Sequence, residues 1–174
     1  MSEPEHAVDG PIRVLVPGNH LMAQLLGPRD EALDLIEDAF PDADIGVRGN
    51  EITITGDESD RVGRLFEELI VLAERGHLVD AAVMARTIDM VRAGERPAEV
   101  LTTQLGRLAN GGRISPKTVG QKRYVDTIAA NTVTFGVGPA GTGKSWLAVA
   151  MAAQALQQKE VERIVLTRPA VEAG

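Results

Sequence analysis

At 174 residues, with 44% hydrophobic and 25% charged side chains, the chain has the composition of a soluble globular protein of one ordinary domain or two small ones. It has no cysteine, which excludes disulfides and thiolate-bound metal, and its three histidines (His6, His20 and His77) lack ligand spacing. The net charge of −7 is unevenly spread: residues 1–76 hold six Arg, no Lys and 17 Asp/Glu, net −11, while residues 77–174 hold 12 Lys/Arg and eight Asp/Glu, net +4. Such asymmetry suggests two domains with different electrostatic tasks. No apolar run approaches the ~18 residues of a membrane span. The acidic start, Met1 to His6, lacks the basic-then-apolar pattern of a signal peptide. A cytoplasmic protein without a membrane partner is expected.

Residues 1–10 are polar and read as a disordered tail. Ile12 to Val16 alternates as a strand does and is closed by Pro17-Gly18. A short helical stretch, His20 to Leu26, runs into Gly27-Pro28-Arg29-Asp30, and Pro28 suits the start of a second helix. Ala32, Leu33, Leu35, Ile36, Ala39 and Phe40 recur at helical spacing until Pro41. Two strands follow, Ala43 to Arg48 and Glu51 to Thr55, joined at Gly49-Asn50. A long amphipathic helix, Ser59 to Arg75, ends at Gly76 and places Val62, Leu65, Phe66, Leu69, Ile70 and Leu72 mostly on one face.

Strand, helix, helix, strand, strand, helix is the order of a KH domain, and residues 11–76 resemble one. The resemblance is carried by Leu25-Leu26-Gly27-Pro28-Arg29-Asp30, by Ala43-Asp44-Ile45 and by Glu51-Ile52-Thr53-Ile54-Thr55-Gly56. RNA-binding KH domains clamp the backbone with a G-x-x-G loop. Here Asp30 stands where the second glycine would, and the excess negative charge repels a phosphate track. Structural or protein-contact use is the leading reading, with RNA contact through Arg13, Arg29 and Arg48 as the other. Residues 77–114 read as a linker. It holds a helix, His77 to Ala93, whose continuous part Asp80 would cap, and then a loose hairpin with arms at Val100–Gln104 and Gly112–Pro116 around Asn110-Gly111-Gly112. Arg107 or Arg113 there touches nucleic acid, or the linker is simply solvated.

The stretch with the most chemistry is Gly138-Pro139-Ala140-Gly141-Thr142-Gly143-Lys144-Ser145. It fits the phosphate-binding P-loop, whose glycines let backbone N–H groups curl round phosphate oxygens. Lys144, the catalytic candidate, would meet the β- and γ-phosphates, and the Ser145 hydroxyl would ligate Mg²⁺. Thr132 to Val137 reads as a buried strand and Trp146 to Gln158 as a helix, the order that aims a helix N-terminus at an anion. Arg163 to Thr167 reads as the next buried parallel strand.

Ser115 to the last residue, with Pro116-Lys117-Thr118-Val119-Gly120-Gln121-Lys122 opening a helix, the P-loop, and Leu166-Thr167-Arg168-Pro169-Ala170-Val171-Glu172-Ala173-Gly174, closely resembles the PhoH family of ATPases. The implied fold is an α+β KH-like domain followed by the first part of an α/β, helicase-like P-loop NTPase domain, residues 115–174. The resemblance implies ATP and Mg as cofactors, single-stranded RNA as a partner and a homo-oligomeric parent, and the family name links it to phosphate starvation. It also places Gln121 where an upstream glutamine reads the adenine edge, the alternative being a helix-surface glutamine. Lys122 and Arg123 either are solvated charges or reach the nucleotide. Arg168 follows the second core strand, where helicase relatives grip nucleic acid; contact with a neighbouring subunit and local packing are its other readings.

Hydrolysis also needs a Walker B aspartate, a water-orienting group and an arginine finger, which in this family follow the second core strand. The expectation is therefore a fragment or truncated product, which binds nucleotide weakly if at all and does not turn it over. Its apolar surface is expected to be left exposed at Val133, Phe135, Ile164 and Leu166. An ATP-driven action on RNA by the parent leads. A nucleotide-switched RNA-binding or assembly module is the alternative, and a small-molecule kinase is disfavoured by the helix that precedes the P-loop strand.

Overall fold

The computed structural model of the chain describes residues 10–27, 30–107 and 111–168. The chain divides into two compact units, residues 1–102 and 103–174. In the first the order is β1 (Ile12–Leu15), α1 (Asn19–Leu26), α2 (Glu31–Ala39), β2 (Ala43–Arg48), β3 (Glu51–Gly56), α3 (Ser59–Glu74), α4 (Ala81–Arg92) and α5 (Pro97–Leu101). The strands form one antiparallel sheet in the order β1-β3-β2, with Ile12 opposite Ile54 and Arg48 opposite Glu51.

Period-two alternation sends Ile52 and Ile54 of β3 and Val14 of β1 to one side of this sheet, where they are buried. There they meet Leu25 of α1, Ile36 of α2 and the apolar stripe of α3, including Leu65, Phe66 and Leu69. Phe40 and Phe66 are both fully buried. Of the other side, Asp44, Gly46 and Arg48 are exposed, and among the described residues no element packs there. The β3 strand must end in glycine: Gly56 has φ +99°, and a Cβ there would lie 2.1 Å from the Asp42 carbonyl oxygen. Asp30 adopts the left-handed conformation, φ 59°, at the head of α2, a region that Asp tolerates better than most residues. Pro28 and Arg29 lie outside the described residues.

α4 adds to the same core through Met84, Ile88 and Val91, and begins as its sequence predicts, with Asp80 Oδ1 accepting from the Val83 N–H at 2.8 Å. Its Arg92 donates to the Ala39 carbonyl and lies over the Phe40 ring, 5.2 Å from the centroid. The expected first hairpin arm, Val100–Gln104, is a correction. Its first residues close α5, which Pro97 opens and in which the Glu68 carboxylate accepts the Ala98 N–H at 2.6 Å. Ala98 and Leu101 pack on Leu72 of α3, and this burial outweighs the β-like local sequence.

The second unit contains β4 (Gly106–Arg107), β5 (Arg113–Ile114), α6 (Val119–Ala130) and α7 (Lys144–Gln157). The strands β4 and β5 pair antiparallel, Gly106 with Ile114; the hairpin is thus shorter and shifted, and Asn110 lies outside the described residues. Leu105, Val125, Leu147 and Ala150 make a small core between α6 and α7. The two expected buried strands, Thr132–Val137 and Arg163–Thr167, are not strands. They are irregular segments with Val133 70%, Phe135 87%, Ile164 36% and Leu166 76% exposed. A strand exists only when its N–H and C=O groups are paired, and neither segment pairs with a neighbour among the described residues.

Candidate functional site

Twelve residues from the start of α6, residues 135–139, Thr142 and the start of α7 surround a cavity of about 320 Å³. Thr118 opens α6: its extended backbone precedes the helix and its Oγ1 accepts the Gln121 N–H at 3.2 Å. This fixes Gln121 on the first turn and Tyr124 one turn on, both in the cavity wall. The opposite wall is Gly136 to Pro139. A Cβ on Gly136 would stand 2.9 Å from the Tyr124 hydroxyl, so glycine lets the entry to the loop lie against that ring without displacing it.

The loop itself turns through Gly138, Gly141 and Gly143, at φ +156°, +78° and +86°. Gly143 is the residue from which α7 starts, and it leaves the first N–H groups of that helix directed at the loop. Lys144 folds back across the loop, its ammonium donating to the Pro139 carbonyl and, at 3.2 Å, to Thr142 Oγ1. Thr142 Oγ1 in turn donates to the Pro139 carbonyl at 3.0 Å. Ser145 is exposed on the first turn of α7 and is not in the cavity wall. The wall therefore carries one cation, two hydroxyl-bearing threonines, a tyrosine and an amide, and no carboxylate. That donor set, with a helix N-terminus behind it, matches a bound polyanion.

Gln121 sits between the two halves of the wall. Its Oε1 accepts from the Lys117 N–H at 2.7 Å and its Nε2 donates to the Thr142 carbonyl at 3.2 Å. Lys122 is committed elsewhere, in an ion pair with Asp126 at 2.6 Å one turn along α6. Arg123 is exposed and is not in the cavity wall. Arg168 is exposed and outside the cavity, while Pro169 to Gly174 lie outside the described residues. Thr118 and Tyr124 were not singled out by sequence reasoning. The signal for the first was present: Thr118-Val119-Gly120-Gln121 has the T-x-x-Q form of a capping box.

Residues 113–174 match the PhoH-like protein family. A PhoH-like protein of Mycobacterium leprae is 47% identical over 158 residues, covering 88% of this chain and 45% of the relative. One of Bacillus subtilis is 37% identical over 170 residues, covering 89% of this chain and 53% of the relative. Protein PhoH of Escherichia coli is 40% identical over 60 residues, 34% of this chain and 17% of its own. No solved structure matches. The chain spans about half the length of these mycobacterial and Bacillus relatives. With the family segment over its second unit and identities of this order along most of its length, the chain belongs to the PhoH-like proteins.

Proposed function

We propose that the chain binds ATP with Mg²⁺ at the Gly138–Ser145 loop and is the nucleotide-holding part of a P-loop ATPase that acts on or with single-stranded RNA. The observation that carries this is the convergence of the Lys144 ammonium and the head of α7 on one loop mouth, beside a cavity walled by Gln121 and Tyr124. Gly138, Pro139, Ala140, Gly141, Thr142 and Gly143 would wrap the phosphates with backbone N–H groups. Lys144 would exchange its bonds to Pro139 and Thr142 for phosphate oxygens, and the exposed Ser145 hydroxyl is free to turn to the metal. Mg²⁺ supplies charge neutralisation between the phosphates when bound. Gln121 Nε2 has a second N–H beyond the one given to Thr142, and with Oε1 it can address the adenine edge. Because the cavity wall supplies no carboxylate to hold Mg²⁺ or orient water, residues 1–174 alone bind nucleotide without turning it over.

The first unit is read as KH-like. Its βααββα order and the β1-β3-β2 antiparallel sheet with helices on one side support this. RNA contact falls to Arg168, exposed beyond the second unit's helices. The decisive experiment is titration of the chain with a fluorescent ATP analogue and Mg²⁺, beside Lys144→Ala. Loss of the ammonium should weaken binding by about tenfold or more, at ~1.5–3 kcal/mol for a charged hydrogen bond. Equal affinity in the two proteins would end the P-loop assignment. Binding by both Arg168→Ala and the unchanged chain to single-stranded RNA with equal affinity would remove Arg168 from the RNA reading. Nucleotide-dependent RNA binding without hydrolysis by any longer form would favour a switch over a motor.

A further inference from the structure

We propose that β2 is a homodimerisation edge, on which a second copy of the chain pairs its own β2 antiparallel about a two-fold axis through Gly46. The sheet order β1-β3-β2 leaves both outer strands with an open edge. β1 is short, four residues, and Pro11 and Pro17 stand just beyond its ends, which blunts it against further pairing. β2 has six residues and carries no proline, no lysine and no bulge. The Ala43 N–H turns away from β3 to the Phe40 carbonyl, and this sets the parity of the strand. By alternation Ile45 and Val47 also direct their N–H and C=O groups outward, and among the described residues nothing accepts them.

The side chains make this edge self-complementary. Centring the axis on Gly46 sets Asp44 opposite Arg48 of the second copy, and Arg48 opposite its Asp44. Asp44, Gly46 and Arg48 all lie on the exposed side of the sheet, and among the described residues neither charged group has a partner within the chain. The same register pairs Ile45 with Val47, exchanging the outward backbone bonds twice, and Val47 is 38% exposed without such a neighbour. Glycine at the axis lets the backbones approach at the close, non-bonded position of the ladder. A register shifted by two residues sets Asp44 opposite Gly46 or Asn50 and loses both Asp44–Arg48 pairs, so charge favours the Gly46-centred alignment for two protomers whose net charges, −7 each, repel at range.

The test is sedimentation equilibrium of the chain from micromolar to hundreds of micromolar. The unchanged chain should show a concentration-dependent dimer. Asp44→Arg and Arg48→Asp each oppose like charges twice and should weaken it about tenfold or more, while the double exchange restores it. Both side chains are exposed and unbonded, so circular dichroism should match in all four proteins. The chain has no cysteine, so Gly46→Cys gives a single thiol at the axis. A Cβ there meets only the Thr53 carbonyl oxygen at 3.8 Å, so the variant folds, and it should form a disulfide-linked dimer under mild oxidation, whereas Thr55→Cys on the central strand should not. A monomer at every concentration, a dimer indifferent to the single reversals, or a β2 edge that binds single-stranded RNA as a monomer would each overturn the proposal.

Discussion

Gln121 and Thr142, 21 residues apart, are joined by a 3.2 Å hydrogen bond from the Gln121 amide to the Thr142 carbonyl. The same amide accepts the Lys117 N–H, so one side chain ties the entry of α6 to the Gly138–Ser145 loop. Gln121→Ala should cost little stability, about 0.5–1.5 kcal/mol for each hydrogen bond at an exposed site. Its larger effect should be on ligand: ATP affinity should fall, and any preference of ATP over GTP should narrow. Parallel titrations with the two nucleotides check this, and an unchanged ratio would leave Gln121 a loop tie only.

Glycines at the site divide by backbone conformation. At Gly143, φ +86° and a Cβ 3.2 Å from Gln121 Nε2 make Gly143→Ala costly, about 1–2 kcal/mol from the left-handed backbone alone. Gly120 lies within α6, and the nearest atom to its Cβ, Thr118 Oγ1, is 4.0 Å away. Gly120→Ala should therefore stabilise, by ~0.5–1 kcal/mol. Thermal unfolding of the two variants should move in opposite directions.

The first unit has a more severe glycine. Gly56→Ala would press a methyl into the Asp42 carbonyl at 2.1 Å, with φ +99°. Backbone cannot yield as a flexible side chain does, so a loss on the order of 3 kcal/mol or more is expected. Urea unfolding followed by circular dichroism measures it. A loss under ~1 kcal/mol would mean that the β2–β3 ladder relaxes freely, which the paired register around Ala43 and Gly56 argues against.

Asp80→Ala should remove the cap of α4 and cost about 1 kcal/mol, with Asp80→Asn keeping most of it. The readout is the unfolding midpoint in urea. If Asp80→Ala and Asp80→Asn behave alike, the stability of α4 rests on Met84, Ile88 and Val91 rather than on its cap.

What could be read from the sequence was what local chemistry decides. The alternation in Glu51 to Thr55, the stripe on α3, the cap at Asp80 and the glycine spacing of the loop each act within a few residues, and β1, α1, β2, β3 and α3 stand within a residue or two of expectation. His77 to Val79 fall outside α4 because Asp80 caps it. Thr132–Val137 and Arg163–Thr167 were misread because their β-branched composition describes a preference, while strand formation requires a partner elsewhere. α5 was misread for the converse reason, since Leu72 and Glu68 lie about 30 residues upstream of the segment they hold helical. Tyr124 against Gly136 is likewise a contact between residues with no local signature.

The two cores differ greatly in size: Phe40, Phe66 and 17 other buried apolar residues fill the first, while the second rests on Leu105, Val125, Leu147 and Ala150. The Gly138–Ser145 loop belongs to the smaller one. The nucleotide proposed there would then also be a folding cofactor: it would shift the second unit toward its ordered form, by about 2.7 kcal/mol at a hundredfold excess over the dissociation constant. Measured affinity will carry that ordering cost and will weaken steeply on warming, well before the first unit melts.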